Sequence, residues 1–330
     1  MSSIAVVLLN WNGLELLKKF LPSVIQHTTE AKIYIADNAS TDGSREFVSS
    51  QYPNVKWIQL AENFGYAKGY NEALKEVEED ILCLINTDIE VSEAWLQPVL
   101  KIFNSNKSIG IIQPKILDYN KKSLFEYAGA AGGFIDKYGF PFCRGRIFDS
   151  IEKDNNQYDS GEIFWASGAC FFVRNSVFKQ LNGFDDAFFA HQEEIDFCWR
   201  AFNQDIKVYY CAESTVFHVG GATLKKSNPR KTYLNFRNSL MMLYKNLPVE
   251  NRFSTIFYRL SLDGLAGIKF LFDLKPAHTF AIIKAHFSYY AQLNTLKGKC
   301  SKTTKTNYFY TNSIVKSYFW KKKRLFGELS

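Results

Sequence analysis

The chain has 330 residues, 46% of them apolar, and a formal charge of +7. That length and composition support a large hydrophobic core with room for an appendage, and exclude a disordered or low-complexity protein. No basic stretch followed by a long apolar run opens the sequence, so no export leader is expected, and Arg259, Asp263, Lys269 and Asp273 interrupt the best spanning candidate, 253–274.

In chain order, residues 4–9 read as a buried strand running into Asn10, Trp11, Asn12 and Gly13, and 14–27 as a helix. Residues 32–36 form a second apolar run that ends on Asp37-Asn38-Ala39-Ser40-Thr41-Asp42-Gly43-Ser44, and 44–51 read as helix. The third run, 81–86, ends on Asn86, Thr87 and Asp88. Strand ends in Asn and Asp are common turn chemistry. Three of them delivered to one edge of a β-α-β-α-β pattern instead mark a site at the carboxyl ends of parallel strands. Further on, 93–104 reads as helix, 109–115 as a fourth strand, and 118–160 as a long irregular excursion with a hairpin near 132–139. Residues 162–173 read as strand, 175–180 as a short helix, 183–185 as a turn, 188–203 as a helical stretch rich in acids, 208–218 as a strand ending on histidine, and 228–247 as a closing helix. The remainder reads as helical, aromatic and basic.

Six cysteines contain no C-x-x-C pair and several lie inside apolar runs, which points to buried free thiols in a reducing cytoplasm rather than to disulfides or zinc. Charge is uneven: residues 251–330 hold 14 Lys and Arg against three acids, a balance of +11, leaving −4 for residues 1–250. Aromatics interleave with these cations at Tyr308-Phe309-Tyr310 and from Tyr318 to Arg324. Such a segment suits an anionic membrane surface and is expected to lie on it without spanning, at the inner face of the plasma membrane. A solvated helical appendage is the plainer alternative.

The order of signatures resembles the inverting family 2 glycosyltransferases of the GT-A fold, especially their rhamnosyltransferase-like branch. The resemblance is carried by 6–13, 37–44, Asn63-Phe64-Gly65-Tyr66-Ala67-Lys68-Gly69-Tyr70-Asn71, 86–88, 167–170, 183–185, Glu193-Glu194-Ile195-Asp196-Phe197-Cys198-Trp199-Arg200 and 218–223, together spanning roughly residues 4–240. It implies an α/β fold of GT-A type, a Rossmann-like mixed, mostly parallel sheet flanked by helices, over residues 1–247. The nucleotide half is about 1–115 and the acceptor half about 116–247, with a helical basic extension from 248.

The same resemblance implies the chemistry. A nucleotide-sugar donor would lie against Asn10, Asn12, Asp37, Asn63, Gly65, Lys68, Asn71, Asn86 and Thr87. Asp37 would accept a pyrimidine N3–H, a role compatible with an Asx-turn at the same residue. Mg²⁺ or Mn²⁺ would neutralise the diphosphate, held by Asp88 and His218; the first acid of the family's D-x-D pattern is Asn86 here. Inversion needs one base for the acceptor hydroxyl, and the acidic cluster supplies Glu194, with Glu193 or Asp196 sharing the role. A saccharide or lipid-linked acceptor would meet Trp165, Ser167, Gly168 and His191. The expected activity is transfer of a sugar from a UDP- or dTDP-sugar, dTDP-rhamnose among them, in cell-surface polysaccharide biosynthesis. A homo-oligomer is allowed and no nucleic-acid partner is expected. The competing readings are a non-catalytic sugar-nucleotide or nucleic-acid binding module, and a nucleotidyltransferase, which would want a Gly-rich basic loop after the first strand where this chain has Asn10 to Glu15.

Overall fold

The computed structural model describes residues 2–220 and 228–329. The chain opens with β1 (Ile4–Asn10), α1 (Leu14–Gln26), β2 (Lys32–Asp37), α2 (Ser44–Gln51), β3 (Lys56–Gln59), α3 (Gly65–Ala73) and β4 (Ile81–Asn86). These four strands pair in parallel in the order β3-β2-β1-β4. Both faces of β1 and β4 are covered, which is why they read as unbroken apolar runs. Ala5, Val7, Leu82 and Leu84 enter one core, while Ile4, Val6, Leu8, Ile81, Cys83 and Ile85 enter the other, packed under Leu17, Leu21 and Val24 of α1.

Next come β5 (Ile89–Val91), α4 (Leu96–Ser105) and β6 (Ile109–Asp118). The excursion is more ordered than the sequence suggests. It builds a separate four-stranded sheet from β7 (Gly133–Ile135), β8 (Pro141–Cys143), β9 (Arg146–Ile147) and β10 (Ser150–Ile151), with the expected hairpin as its β7–β8 pair. The chain then returns through β11 (Gly161–Ile163), β12 (Cys170–Arg174), α5 (Asn175–Gln180), α6 (Glu193–Asn203) and β13 (Lys207–His218). The main sheet thus has nine strands in the order β11-β13-β6-β12-β4-β1-β2-β3, with β5 beside β13. β12 inserts antiparallel between β4 and β6, so the sheet is mixed.

Residues 162–173 are therefore not one strand. β11 lies on the sheet edge against β13, β12 lies in its middle, and residues 164–169 cross between them. Gly133 admits this crossing, because a Cβ there would stand 2.0 Å from the Trp165 ring.

After α7 (Pro229–Asn246), the helices α8 (Val249–Phe272), α9 (Pro276–Ala291) and α10 (Leu293–Lys297) pack on one another and on α7. Beyond residue 298 the expected helix is replaced by a mostly irregular strap that runs back over the smaller sheet. The Ile314 N–H donates to Asp136 (2.9 Å), the Phe326 N–H to Glu152 (3.0 Å), and Phe326 packs against Phe134, Phe142 and Tyr310. Tyr308 stacks on Trp199 of α6 at 4.8 Å. Tyr308 and Tyr318, assigned from sequence to a membrane-facing tail, are buried.

Candidate active site at the strand ends

β1, β2 and β4 end level with one another: Asn10 pairs with Asp37 and Leu9 with Asn86. The Asp37 carboxylate is buried and accepts four hydrogen bonds, from Asn10 Nδ2 (2.8 Å), Ser40 Oγ (2.6 Å), Ser40 N–H (2.8 Å) and Gln59 Nε2 (3.2 Å). Its backbone bond reaches Ser40, three residues on, rather than the two of the expected Asx-turn, and the carboxylate uses all four of its lone-pair directions. Asn12, at φ 48°, accepts from the Thr41 N–H (2.8 Å). Asp42 accepts from the Leu14 N–H (2.8 Å), so the loops after β1 and β2 are stitched together. Burial raises the Asp42 carboxyl, but the Ser44 hydroxyl and backbone N–H donors outweigh it and leave it below its ordinary range. Asn10 Oδ1 is buried without a hydrogen-bond partner among the described residues, and a Cβ on Gly13 would stand 2.4 Å from it and 3.6 Å from Thr87 Oγ1.

Several expected donor contacts belong to the fold instead. A Cβ on Gly65 (φ 76°) would stand 2.7 Å from the Phe189 ring, and one on Gly69 would stand 3.0 Å from Asn38. The close approach these glycines permit is therefore that of Phe189 and Asn38. Asn63 accepts from the Gly65 N–H (3.0 Å), and the first N–H groups of α3 donate to the Phe189 carbonyl (2.8 and 3.3 Å), so this helix start is already capped. Lys68 lies over the Phe64 ring at 4.1 Å. Asn71 does not face the strand-end cleft: its amide exchanges hydrogen bonds with the Phe184 backbone (2.8 and 2.9 Å) and fixes the turn at 183–186. On the acceptor side, Trp165 is buried with its indole N–H donating to the Phe134 carbonyl (2.9 Å), and Ser167 is buried between Gln113 (2.7 Å) and the Ala128 carbonyl. Both hold the chain crossing and leave Gly168 at the surface of the cleft.

At the end of β4, Asp88 Oδ1 lies 3.1 Å from His218 Nε2, and His218 Nδ1 faces Glu126 Oε2 at 3.5 Å. All three side chains are buried. Burial pulls the imidazole pKa down, but the two carboxylates outweigh it and raise it to about 10. Glu126 lies in the long excursion, 92 residues before His218, and no local pattern marks it. Among the described residues no group of three His, Cys, Asp or Glu converges tightly enough to hold a metal unaided. One carboxylate oxygen and one imidazole nitrogen nevertheless fit a divalent ion. Adjacent ligands at roughly 2.1 Å from an octahedral ion lie about 3.0 Å apart, close to the separation of these two atoms, and the remaining ligands would have to come from outside the chain. Residues 221–223 of the His218 signature lie outside the described residues.

The acidic cluster splits into two environments. Asp196 faces inward: its carboxylate accepts from Arg200 (2.9 Å), Lys245 (2.9 Å) and Asn246 (2.8 Å), so it belongs to a buried ion network and not to the cleft. Ahead of it, Phe189, His191 and Gln192 have φ of 63°, 70° and 73°, a left-handed run that costs about 1–3 kcal/mol per residue and persists only where the surroundings impose it. Asn238 of α7 imposes it, donating to the carbonyls of Phe188 (3.0 Å), Ala190 (3.0 Å) and His191 (2.7 Å). Within this strained turn, His191 Nε2, Gln192 Oε1, Glu193 Oε2 and Glu194 Oε2 are buried with no hydrogen-bond partner among the described residues. Four successive orphaned polar atoms are a strong sign of an absent ligand. Burial pushes the Glu194 carboxyl up to about 7 against the N–H donors of the helix start. Burial and the Glu194 charge carry Glu193 well above the ordinary carboxylate range, and burial together with the Lys231 charge lowers His191 to about 4. Tyr66 donates to the Gly168 carbonyl (2.6 Å), and a Cβ on Gly168 would lie 3.7 Å from that of Glu194. The Ala169 carbonyl accepts from the Asn86 N–H (2.9 Å), so one segment spans from the Asp88 strand end to Glu194.

Asn238→Ala is expected to destabilise the protein by about 2–3 kcal/mol and to lower kcat more than tenfold, because three carbonyls of the strained turn lose their donor. Urea unfolding and transfer assays of the same sample check it.

The sheet with its strand-end acids, followed by an acid-rich helix start, defines a glycosyltransferase of GT-A type. The chain belongs to the family described as Glycosyl transferase family 2, whose sequence pattern matches residues 3–181. It is similar to the low-salt glycan biosynthesis hexosyltransferase Agl10 of Haloferax volcanii, 22% identical over 83% of this chain and 87% of that one. It is also similar to the N-acetylglucosaminyl-diphospho-decaprenol L-rhamnosyltransferase of Mycobacterium tuberculosis, 25% identical over 54% of this chain and 64% of that one. Among solved structures it shares its fold with the mannosyltransferase PcManGT from Pyrobaculum calidifontis in complex with GDP-Man and Mn²⁺, at a TM-score of 0.54 and 11% identity over 88% of each chain.

Proposed function

We propose that this enzyme moves a hexose from a UDP- or dTDP-sugar, dTDP-rhamnose among the candidates, to a saccharide or lipid-linked acceptor with inversion. The acceptor would belong to cell-surface polysaccharide biosynthesis, and residues 251–330 would hold the enzyme at an anionic membrane surface. The observation that carries the catalytic reading is the run of orphaned polar atoms from His191 to Glu194 on a strained turn. Glu194 takes the proton of the acceptor hydroxyl; its pKa near 7 keeps it basic enough to accept that proton and ionised in a useful fraction at neutral pH. Neutral His191 orients the acceptor. Asp88 and His218 would hold Mg²⁺ or Mn²⁺, the histidine through a neutral imidazole nitrogen. The ion supplies charge neutralisation of the leaving diphosphate. Glu126 fixes the His218 ring from behind, the usual arrangement of a carboxylate behind a ligating histidine. Asn10 Oδ1 and the Asp37 network meet the base, an incoming N3–H displacing Gln59, the longest of the four donors to Asp37. The mannosyltransferase complex with Mn²⁺ and the rhamnosyltransferase relative support the metal and the lipid-linked acceptor.

Calorimetric titration of UDP and dTDP with and without Mn²⁺ tests the metal assignment. Asp88→Ala is expected to lose the Mn²⁺-dependent part of nucleotide affinity, and Glu126→Gln to weaken it by roughly 10–100-fold. Unchanged metal dependence in Asp88→Ala would remove Asp88 from the metal site.

A further inference from the structure

Glu194 stands at the start of α6, and the two segments that border it are tied to one residue of another helix. Tyr66, the second residue of α3, donates its backbone N–H to the Phe189 carbonyl (2.8 Å) at the head of the strained turn. Its hydroxyl donates to the Gly168 carbonyl (2.6 Å) in the chain crossing. A Cβ on Gly168 would lie 3.1 Å from the Tyr66 oxygen and 3.7 Å from the Glu194 Cβ, so the phenol and the base flank the space that this glycine leaves open. The ring is fixed edge-on against Tyr70 (4.8 Å) and tilted on Phe184 (5.8 Å). A phenol has one proton to give, and here the Gly168 carbonyl takes it. Tyr66 lies in the stretch at 63–71 read from sequence as donor-binding, yet its hydroxyl engages the acceptor side.

With the Tyr66 proton in place, the Gly168 carbonyl has its donor. Without it, that carbonyl is an unpaired acceptor beside Glu194 that the carboxyl can serve only when protonated, which opposes ionisation. The other titratable groups about Glu194 are Glu193, Asp196 and Cys198 of its own helix, and His191 of the turn, which feels the Lys231 charge of α7. Tyr66 joins them from α3. We propose that Tyr66 is a positioning residue for the base: its hydroxyl holds the Gly168 carbonyl and its backbone N–H holds the Phe189 carbonyl, so Glu194 sits between two fixed segments with no bare carbonyl against its ionised form. This deepens the catalytic reading above and rests on Glu194 being the base.

The test compares Tyr66→Phe with Tyr70→Phe by pH profiles of single-turnover transfer, nucleotide titration and thermal scans of the full chain. Tyr70 is the control, because its hydroxyl donates within the sheet, to the carbonyls of Val7 (3.3 Å) and Ile85 (3.2 Å), and not to the crossing. Each variant keeps its ring and loses one hydrogen-bonded hydroxyl, so a purely structural role predicts like effects. Tyr66→Phe is expected to slow transfer about tenfold, the equivalent of one hydrogen bond, and to move the rate midpoint up by roughly half a pH unit. Its nucleotide affinity is expected to stay within about twofold of wild type. Tyr70→Phe is expected to lose similar thermal stability and keep the wild-type midpoint. In the Glu194→Gln background Tyr66→Phe is expected to add less than about twofold, since a residue that acts through the base has nothing left to act on. An unshifted midpoint in Tyr66→Phe, an equal shift in both tyrosine variants, or the full loss repeated on top of Glu194→Gln overturns the proposal. Near wild-type transfer by Glu194→Gln alone overturns the base assignment itself, whatever Tyr66→Phe does.

Discussion

Replacing Glu194 by glutamine is expected to lower sugar transfer by roughly 10²–10⁴-fold, the usual worth of a general base, while metal-dependent nucleotide binding stays at the wild-type level. Glutamine keeps the shape and removes the basicity. Glu193→Gln serves as the contrast: burial and the Glu194 charge raise the Glu193 carboxyl well above the ordinary range, and its amide is expected to cost less than that of Glu194. The wild-type rate should rise with pH through about 7, where Glu194 ionises, and level off above it. Stability runs the other way. A carboxyl raised in the folded state binds its proton more tightly there than in the unfolded chain, so stability falls as the pH climbs from the unfolded value near 4.3 toward 7. Glu194→Gln is therefore expected to melt several degrees above wild type at pH 8 and alongside it near pH 4. Single-turnover transfer assays and thermal scans at both pH values check the two halves of the claim, and near wild-type transfer by Glu194→Gln would send the search for the base elsewhere.

Lys245→Met is expected to destabilise the protein by about 3 kcal/mol, the low end of the range for opening a buried ion pair. Lys245 is 2% exposed, and its ammonium sits 2.8 Å from Asp185 and 2.9 Å from Asp196. Arg200 and Lys299 remain beside those carboxylates in the variant, which is why the loss stays at the low end. Burial raises the Asp185 carboxyl, but Lys245 and Lys299 outweigh it and hold it well below the ordinary range. Its contribution is thus complete above its unfolded value, near pH 4, and drains away in stronger acid, where the gap between wild type and variant should narrow. Adding Asp185→Asn to Lys245→Met is expected to recover about 1 kcal/mol or more by removing a buried charge that Lys299, itself partly exposed, is left to balance alone. Equilibrium urea unfolding of the two single variants and the double variant gives the coupling.

The parallel half of the fold was legible because its strands are buried on both faces and each ends on a polar cluster: residues 4–9, 32–36 and 81–86 match β1, β2 and β4 with one residue added at most at the end. β3 and β5 escaped because four and three residues carry too little periodicity to announce a strand. The apolar run 162–173 hid a change of sheet position, since Trp165 stays buried through the crossing and only Gly133, far off in sequence, reveals the bend. Site residues followed the same division. Asp88 and Glu194 lie in compact signatures. Asn71 and Asp196 also lie in such signatures but face Phe184 and Lys245, partners that sequence does not reveal. Glu126 and Asn238 act only through long-range contacts with His218 and the 188–191 carbonyls, so no local spacing singles them out.

The strap over the smaller sheet bears on how the enzyme is made. The first part of the main sheet draws its core from β1 to β4 and the helices between them, and these are synthesised early. The smaller sheet and α6 gain part of their cover only when Tyr308 reaches Trp199 and Phe326 reaches Glu152 and the ring cluster of Phe134 and Phe142. A ribosome adding about 5–20 residues per second takes roughly 10–35 s to travel from Glu152 to Phe326. For that interval the ring cluster of Phe134 and Phe142 lacks Phe326, and an aromatic surface stays open to chaperones and to neighbouring nascent chains.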